Sequence, residues 1–302
     1  MLKIVLAGLD NAGKSSLLLT INRKFSHLPA LTPTRGTERT RFDYFGRKII
    51  GFDLGGQKNY RDDYIARPEL FFAETDLLFY VIDLQDPERY DESAEYFSKI
   101  LEALAKLDVV PKIVIICHKF DPDVQKEESM QQNVEDVKSK FDTLVSGTNF
   151  DVTYRATSIF DRQSIDEMFS EGFRLISSIS GIIEKILTTY SETTSARAIT
   201  LIDSSGLILG HYSESENDDE ILAQTSLIIQ TLLNYHQRAG FEKKEDLEIP
   251  YAAGTFIMSK IKEIGEKSYY LWILTKNPDQ ARENLEFFKE DLFPLIGYFF
   301  TK

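Results

Sequence analysis

From Leu2 to about Tyr190, short apolar runs alternate with amphipathic stretches, the pattern of βαβ units wound around a mostly parallel sheet. The runs Lys3–Ala7, Ile49–Asp53, Leu77–Asp83, Lys112–Cys117 and Asp151–Thr157 predict strands. Arg41–Phe45, with Gly46 as a turn, predicts a hairpin with the following run, giving a six-stranded sheet with one antiparallel edge strand. Asp161 opens a long helical stretch whose apolar positions, from Ile165, Met168 and Phe169 to Ile186 and Leu187, are spaced by threes and fours. Unbroken, that rod would be about 40 Å long. It outlasts one small sheet, so its last turns are expected to reach a second domain, with Gly181 a candidate break.

The polar run Ser191–Ser195 is poor in core formers and separates a first domain over 1–188 from a second over 195–302. In the second, Ala198–Ile202, the turn Asp203-Ser204-Ser205-Gly206 and Leu207–Tyr212 predict a β-hairpin. Asp218-Asp219-Glu220 then open a helix that ends near Gly240. After a charged loop, strands near Thr255–Ile264 and Ser268–Thr275 precede a helix that follows Pro278 and runs towards Pro294. Two helices on one antiparallel sheet make an α+β layout. The apolar stretch Leu292–Phe300 is expected to close a core.

Composition agrees with two domains: 302 residues, 42% hydrophobic and 27% charged, describe a globular chain. The net charge of −13 is shared, −6 over residues 1–190 and −7 over 191–302, so neither half attracts nucleic acid or an anionic bilayer in bulk. The lone Cys117 excludes an internal disulfide and fits a reducing compartment. No segment approaches the roughly 20 apolar residues of a membrane span, and the apolar N-terminal run is too short for a signal peptide. A cytoplasmic protein is expected.

The chemistry concentrates in a few short motifs. Gly8-Leu9-Asp10-Asn11-Ala12-Gly13-Lys14-Ser15 matches G-x-x-x-x-G-K-[ST] between a predicted strand and a predicted helix, a pattern that chance places in about one chain in a hundred. Asp10, Asn11, Ala12, Gly13 and Ser16 belong to a loop whose backbone N–H groups can cradle phosphates. Lys14 would reach the β- and γ-phosphates, and the Ser15 hydroxyl would complete Mg²⁺ coordination. Asp53-Leu54-Gly55-Gly56-Gln57 follows a strand. Asp53 suits the metal side, the Gly56 amide a γ-phosphate, and the Gln57 side chain an attacking water, in a loop that would order around GTP and relax after hydrolysis. In Thr32-Pro33-Thr34-Arg35-Gly36-Thr37, Thr34 is the preferred metal-binding threonine over Thr37 and Thr32. In His118-Lys119-Phe120-Asp121, the Asp121 carboxylate can accept two guanine N–H groups and the Lys119 stem can cover the base, with His118 a structural hydrogen-bonding residue. Ala156-Thr157-Ser158 offers amides for the base oxygen.

The order and spacing of these motifs resemble the Ras superfamily of small GTPases over roughly residues 2–180. Gly8–Ser15 and Asp53–Gln57 resemble the Arf branch; His118–Asp121 and Thr157–Asp161 resemble the Rag (Gtr) branch. Residues 197–302 resemble, in the order of their elements, the roadblock/longin-type dimerisation domain that follows the GTPase in Rag proteins. The resemblance implies an α/β P-loop GTPase domain followed by a smaller α+β domain. It also implies GTP or GDP with Mg²⁺, slow hydrolysis, activating and exchange proteins, and a homodimer or heterodimer through the second domain. Residue 2 is Leu2 and the chain ends Phe299-Phe300-Thr301-Lys302, so the lipid anchors of related branches are not expected and membrane recruitment would run through partners. His118 replaces the more widespread asparagine of the base motif. Arg35 and Arg61 are candidates for an arginine acting in place. A nucleotide-loaded scaffold without turnover, and an ATP-dependent phosphotransferase, are the competing readings.

Overall fold

The computed structural model describes residues 2–21, 34–44, 47–177, 180–204, 208–240, 246–251, 254–264 and 267–300. Thr32, Pro33, Phe45, Gly46, Ile179, Ser205, Gly206 and Leu207 lie outside them, as do the side chains of 293–300. Contacts divide the chain into two compact units, Met1–Met168 and Phe169–Lys302.

In the first unit, β1 (Leu2–Gly8) leads through the phosphate loop into α1 (Lys14–Ile21). Next come β2 (Thr37–Tyr44), β3 (Arg47–Leu54), α2 (Lys58–Ala66), the short α3 (Pro68–Phe71) and β4 (Leu77–Asp83). The unit continues with α4 (Tyr90–Lys106), β5 (Lys112–His118), α5 (Glu128–Val145), β6 (Val152–Thr157) and the start of α6 (Arg162–Ile176). The six strands lie in the order β2-β3-β1-β4-β5-β6, with only β2 antiparallel. Ile4–Ala7, Leu77–Ile82 and Ile113–Cys117 are buried throughout. Strands covered on both faces need apolar residues at successive positions, which is why these runs lack a polar alternation. Burial also pushes the Cys117 thiol up to about 12, and it packs as a small apolar group.

The long helix expected after Asp161 is two helices. α6 ends at Ile176 and α7 spans Ser180–Thr194, so the break precedes Gly181, which lies in the first turn of α7. α7 belongs to the second unit, and the division of the chain falls before the polar run Ser191–Ser195. The physical reason is the apolar row of α7: Ile183 and Leu187 pack against the strand around Gly210, and Tyr190 stacks on Phe288 with ring centroids 4.2 Å apart.

The second unit continues through β7 (Ala196–Asp203), β8 (Ile208–Ser213), α8 (Glu216–Arg238), β9 (Asp246–Tyr251), β10 (Gly254–Ile264), β11 (Lys267–Thr275) and α9 (Pro278–Phe300). Its antiparallel sheet runs β8-β7-β11-β10-β9. Leu222 and Ile229 of α8 cover one face, over Ala198, Met258 and Trp272. This α+β sheet with flanking helices fits a roadblock-type domain. β9 replaces part of the charged loop that the sequence predicts: Asp246 and Glu248 alternate with Leu247 and Ile249, and Pro250 is tolerated because β9 is an edge strand. α8 begins at Glu216, two residues before the expected acidic start, and Asp218 is buried in an ion pair with Arg197. Among the described residues, no helix is long and apolar enough to cross a membrane.

Candidate nucleotide site

Parallel strands deliver their C-terminal ends to one edge of the first sheet, where a ligand crevice belongs in an open α/β fold. Gly8 ends β1, Asp53 comes just before the end of β3, Asp83 ends β4, His118 ends β5 and Thr157 ends β6. Beyond them opens a cleft of about 400 Å³.

One end is built by the phosphate loop. Asp10, Asn11, Gly13, Lys14, Ser15 and Ser16 line the cleft, while Ala12 is buried beneath it. The loop curls through positive φ at Asn11 (63°) and Gly13 (94°). A Cβ on Gly13 would lie 2.3 Å from His118 Cδ2, so the ring and the loop need glycine there twice over. Lys14 is buried, and its ammonium donates to the Leu9 carbonyl at 2.7 Å and the Gly8 carbonyl at 3.1 Å. Burial lowers its pKa to about 8, against the opposing charges of Asp53 and Asp10.

Three segments meet beside Lys14. Ser15 Oγ donates to Asp53 Oδ2 at 2.6 Å and lies 2.8 Å from Thr34 Oγ1, which in turn donates to Asp53 Oδ2 at 3.2 Å. Thr34 therefore joins this cluster, whereas Thr37 starts β2 opposite Leu54 and Thr32 lies outside the described residues. Asp53 is buried, which raises its pKa against the hydrogen bonds of Ser15 and Thr34 and the charge of Lys14. Its other oxygen, Oδ1, is buried without a hydrogen-bond partner. An all-oxygen donor set with a spare carboxylate oxygen fits a hard divalent cation of the Mg²⁺ type, which draws its remaining ligands from water and phosphate.

The segment after β3 closes over the phosphate loop. Asp10 N donates to the Gly56 carbonyl at 3.1 Å, and a Cβ on Gly56 would sit 2.1 Å from Asp10 N. Gly55 N and the Tyr64 hydroxyl both donate to the Gly36 carbonyl, at 2.9 and 2.7 Å, so the Thr34 segment and the Gly56 segment are fastened together. Gln57 lines the cleft as the N-cap of α2. Arg61 is committed elsewhere: it pairs with Glu92, and its guanidinium lies 5.2 Å from the Tyr96 ring centroid. Arg35 is exposed.

At the far end, His118, Lys119 and Asp121 line the cleft with Ile159 and the exposed Phe160. His118 Nδ1 lies 2.9 Å from Thr157 Oγ1, Lys119 Nζ donates to Asp83 at 2.5 Å, and Ser158 Oγ donates to Asp121 Oδ1 at 2.5 Å. Ala156, Thr157 and Ser158 do not line the cleft; Ala156 packs on the core within β6, and the other two brace His118 and Asp121. Gln85 was not singled out from sequence: its amide donates to the Lys119 carbonyl at 2.9 Å and to Asp121 Oδ2 at 3.0 Å. Its one signal was a position just past the end of β4, at the crevice edge.

A phosphate loop at the C-terminal edge of a six-stranded, mostly parallel sheet, with the hydroxyls of Ser15 and Thr34 on the Asp53 carboxylate beside it, defines a P-loop GTPase fold. The Gtr1/RagA G protein conserved region matches residues 3–233. The chain belongs to that family, the Rag-like and Arf-like small GTPases of the Ras superfamily. It is 39% identical over 99 residues to ADP-ribosylation factor-like protein 13B of Chlamydomonas reinhardtii, covering 33% of this chain and 18% of that protein. It is 34% identical over 124 residues to ADP-ribosylation factor-related protein 1 of Rattus norvegicus, covering 39% of this chain and 59% of that protein. The chain thus spans less than two thirds of the length of these relatives. The small GTPase Arl6 BBS3 from Trypanosoma brucei, solved with GppNp, has 22% identity and a TM-score of 0.44 over 58% of this chain and 96% of that one.

Proposed function

We propose that the chain is a GTP/GDP switch that hydrolyses GTP slowly with Mg²⁺ and dimerises through its second unit. The observation that carries this reading is the meeting of the Ser15 and Thr34 hydroxyls on one oxygen of Asp53, whose other oxygen is buried without a hydrogen-bond partner. Thr34 comes from a connecting segment and Ser15 from the phosphate loop, so the arrangement can report on what lies between them. Mg²⁺ bound there would neutralise charge on the β- and γ-phosphates.

The chain's own residues divide the work. Lys14 would exchange its two carbonyl partners for phosphate oxygens, and the Gly56 amide would meet the terminal phosphate once its carbonyl leaves Asp10. Gln57 orients the attacking water, and Asp121 accepts the guanine N–H groups. Loss of the terminal phosphate removes a contact that the Thr34 and Gly56 segments would share beyond their own hydrogen bonds, which is how partners would read the nucleotide state. With Arg61 held by Glu92, a transition-state arginine comes from Arg35 or from an activating protein, worth about 10³–10⁵ in rate. Turnover of the isolated chain is accordingly slow.

For dimerisation, the supporting feature is an exposed apolar row on α8: Ile221, Ile228, Leu232 and Tyr235, at helical spacing. A second copy or a related chain would cover it. Competition of GTP and ATP against fluorescent GDP tests the base assignment: GTP should win by at least about 10²-fold, because adenine presents an N1 lone pair and no 2-amino group to the Asp121 carboxylate. Equal competition would turn the reading towards an ATP-using enzyme.

A further inference from the structure

The phosphate loop carries a negative charge of its own. Asp10 lines the cleft between Lys14 and Gly56, close to where the terminal phosphate of a nucleotide would lie. An unpaired carboxylate there would repel that phosphate. Arg89, from the 3-10 turn before α4, cancels it: its Nη2 donates to Asp10 Oδ1 at 2.8 Å and its Nη1 to the Asp10 carbonyl at 3.3 Å. Although partial burial works to raise it, the Arg89 hydrogen bond and charge hold the Asp10 carboxyl below the usual range.

The same guanidinium reaches a second carboxylate. Arg89 Nε donates to Glu92 Oε2 at 2.9 Å, and Glu92 Oε1 accepts from Arg61. Arg61 is nine-tenths buried, and its backbone N–H donates to the Gln57 carbonyl at 3.0 Å in the first turn of α2. A continuous line of charges therefore runs from the phosphate loop through Arg89 and Glu92 to the turn that carries Gln57. Arg89 and Glu92 belong to none of the nucleotide motifs.

We propose that Arg89 is a positioning residue that sets the preference for GTP over GDP, by neutralising Asp10 beside the terminal phosphate while anchoring the Gln57 turn through Glu92 and Arg61. The proposal rests on the nucleotide reading above. It separates two effects. The Asp10 arm acts on the triphosphate more than on the diphosphate, because only the triphosphate places charge nearest the carboxylate. The Glu92 arm acts on hydrolysis.

The test uses the full chain with Mg²⁺, and reads affinity for GDP and for a non-hydrolysable GTP analogue with single-turnover hydrolysis. Arg89→Gln should weaken the GTP analogue about tenfold relative to GDP. Adding Asp10→Asn should bring that ratio back to within about twofold of wild type, a rescue that a merely structural arginine would not show. Glu92→Gln should leave the ratio unchanged and slow hydrolysis by about tenfold. An Arg89→Gln protein that binds both nucleotides with the wild-type ratio overturns the proposal, as does failure of Asp10→Asn to rescue. If Arg89→Gln does not fold, Arg89→Lys, which keeps the charge and loses the fork, carries the same reading. Its ratio should shift less than about threefold while hydrolysis slows, and a larger shift that Asp10→Asn does not reverse overturns the proposal. Wild-type protein that binds neither nucleotide would instead remove the underlying function, a different result from an unchanged ratio.

Discussion

His118 offers a prediction whose size follows from its surroundings. The ring is buried at 2% exposure, braced by Thr157 and pressed against the backbone of Gly13. Burial, with the nearby Lys119 charge, lowers its pKa to about 4, while Asp121 and Asp83 oppose the shift. An unfolded histidine titrates near 6.5. The native state therefore resists a proton that the unfolded chain accepts. The contribution is fully present above pH 6.5 and is lost as pH falls towards 4, by about 3 kcal/mol in total and about 2 kcal/mol by pH 5. Thermal unfolding of GDP-loaded protein from pH 7.5 to 5 should show it against His118→Asn, which keeps a hydrogen-bonding partner for Thr157 and cannot titrate. Other groups, including His211, whose pKa burial also lowers, titrate alike in both proteins. The wild type should lose roughly 4–8 °C more than the variant on acidification. Parallel curves for the two would refute a buried neutral ring at this position.

Other expectations follow from the same geometry. Lys14→Ala should abolish nucleotide binding, whereas Gln57→Leu should spare it and slow single-turnover hydrolysis by about 10²-fold; unchanged hydrolysis would remove the role given to Gln57. Gly56→Ala places a methyl group 2.1 Å from Asp10 N and 2.2 Å from the Leu9 carbonyl carbon, so the Gly56 segment is held away from the phosphate loop whichever nucleotide is bound. Tryptic cleavage of that variant should become the same with GDP and a GTP analogue, and a wild-type difference between the two would contradict the account. Ile228→Glu with Leu232→Glu, at positions 69% and 51% exposed, should shift light scattering from dimer to monomer with stability changed by less than about 1 kcal/mol. A dimer that survives both charges would move the interface off α8.

Local chemistry was legible in the sequence where contiguous residues do the work. A phosphate loop is a run of backbone amides, so its motif and the strand before it appear together, and the doubly covered strands announce themselves as uninterrupted apolar runs. What escaped was set by packing at a distance. The α6–α7 break left no strong signal, because the apolar row from Ile165 to Leu187 keeps its spacing while changing the unit it packs in. β9 was hidden by Asp246, Glu248 and Pro250, residues that an edge strand tolerates and a central one does not. Gln85, Arg89 and Glu92 come from the stretch that follows β4 and have no motif, and only the fold brings Arg89 to Asp10, 79 positions away.

The proposed switch requires a guanine nucleotide and Mg²⁺ between Lys14, the Ser15–Thr34–Asp53 cluster and Asp121. Titration of nucleotide-free full chain into fluorescent GDP and a fluorescent GTP analogue, with Mg²⁺ and with chelator, tests it directly. Binding at micromolar concentration or below that weakens when Mg²⁺ is removed, and that Asp53→Ala makes indifferent to the metal, is the expected result. No uptake of either nucleotide at that concentration, or uptake that ignores Mg²⁺ in the wild type, would contradict the account.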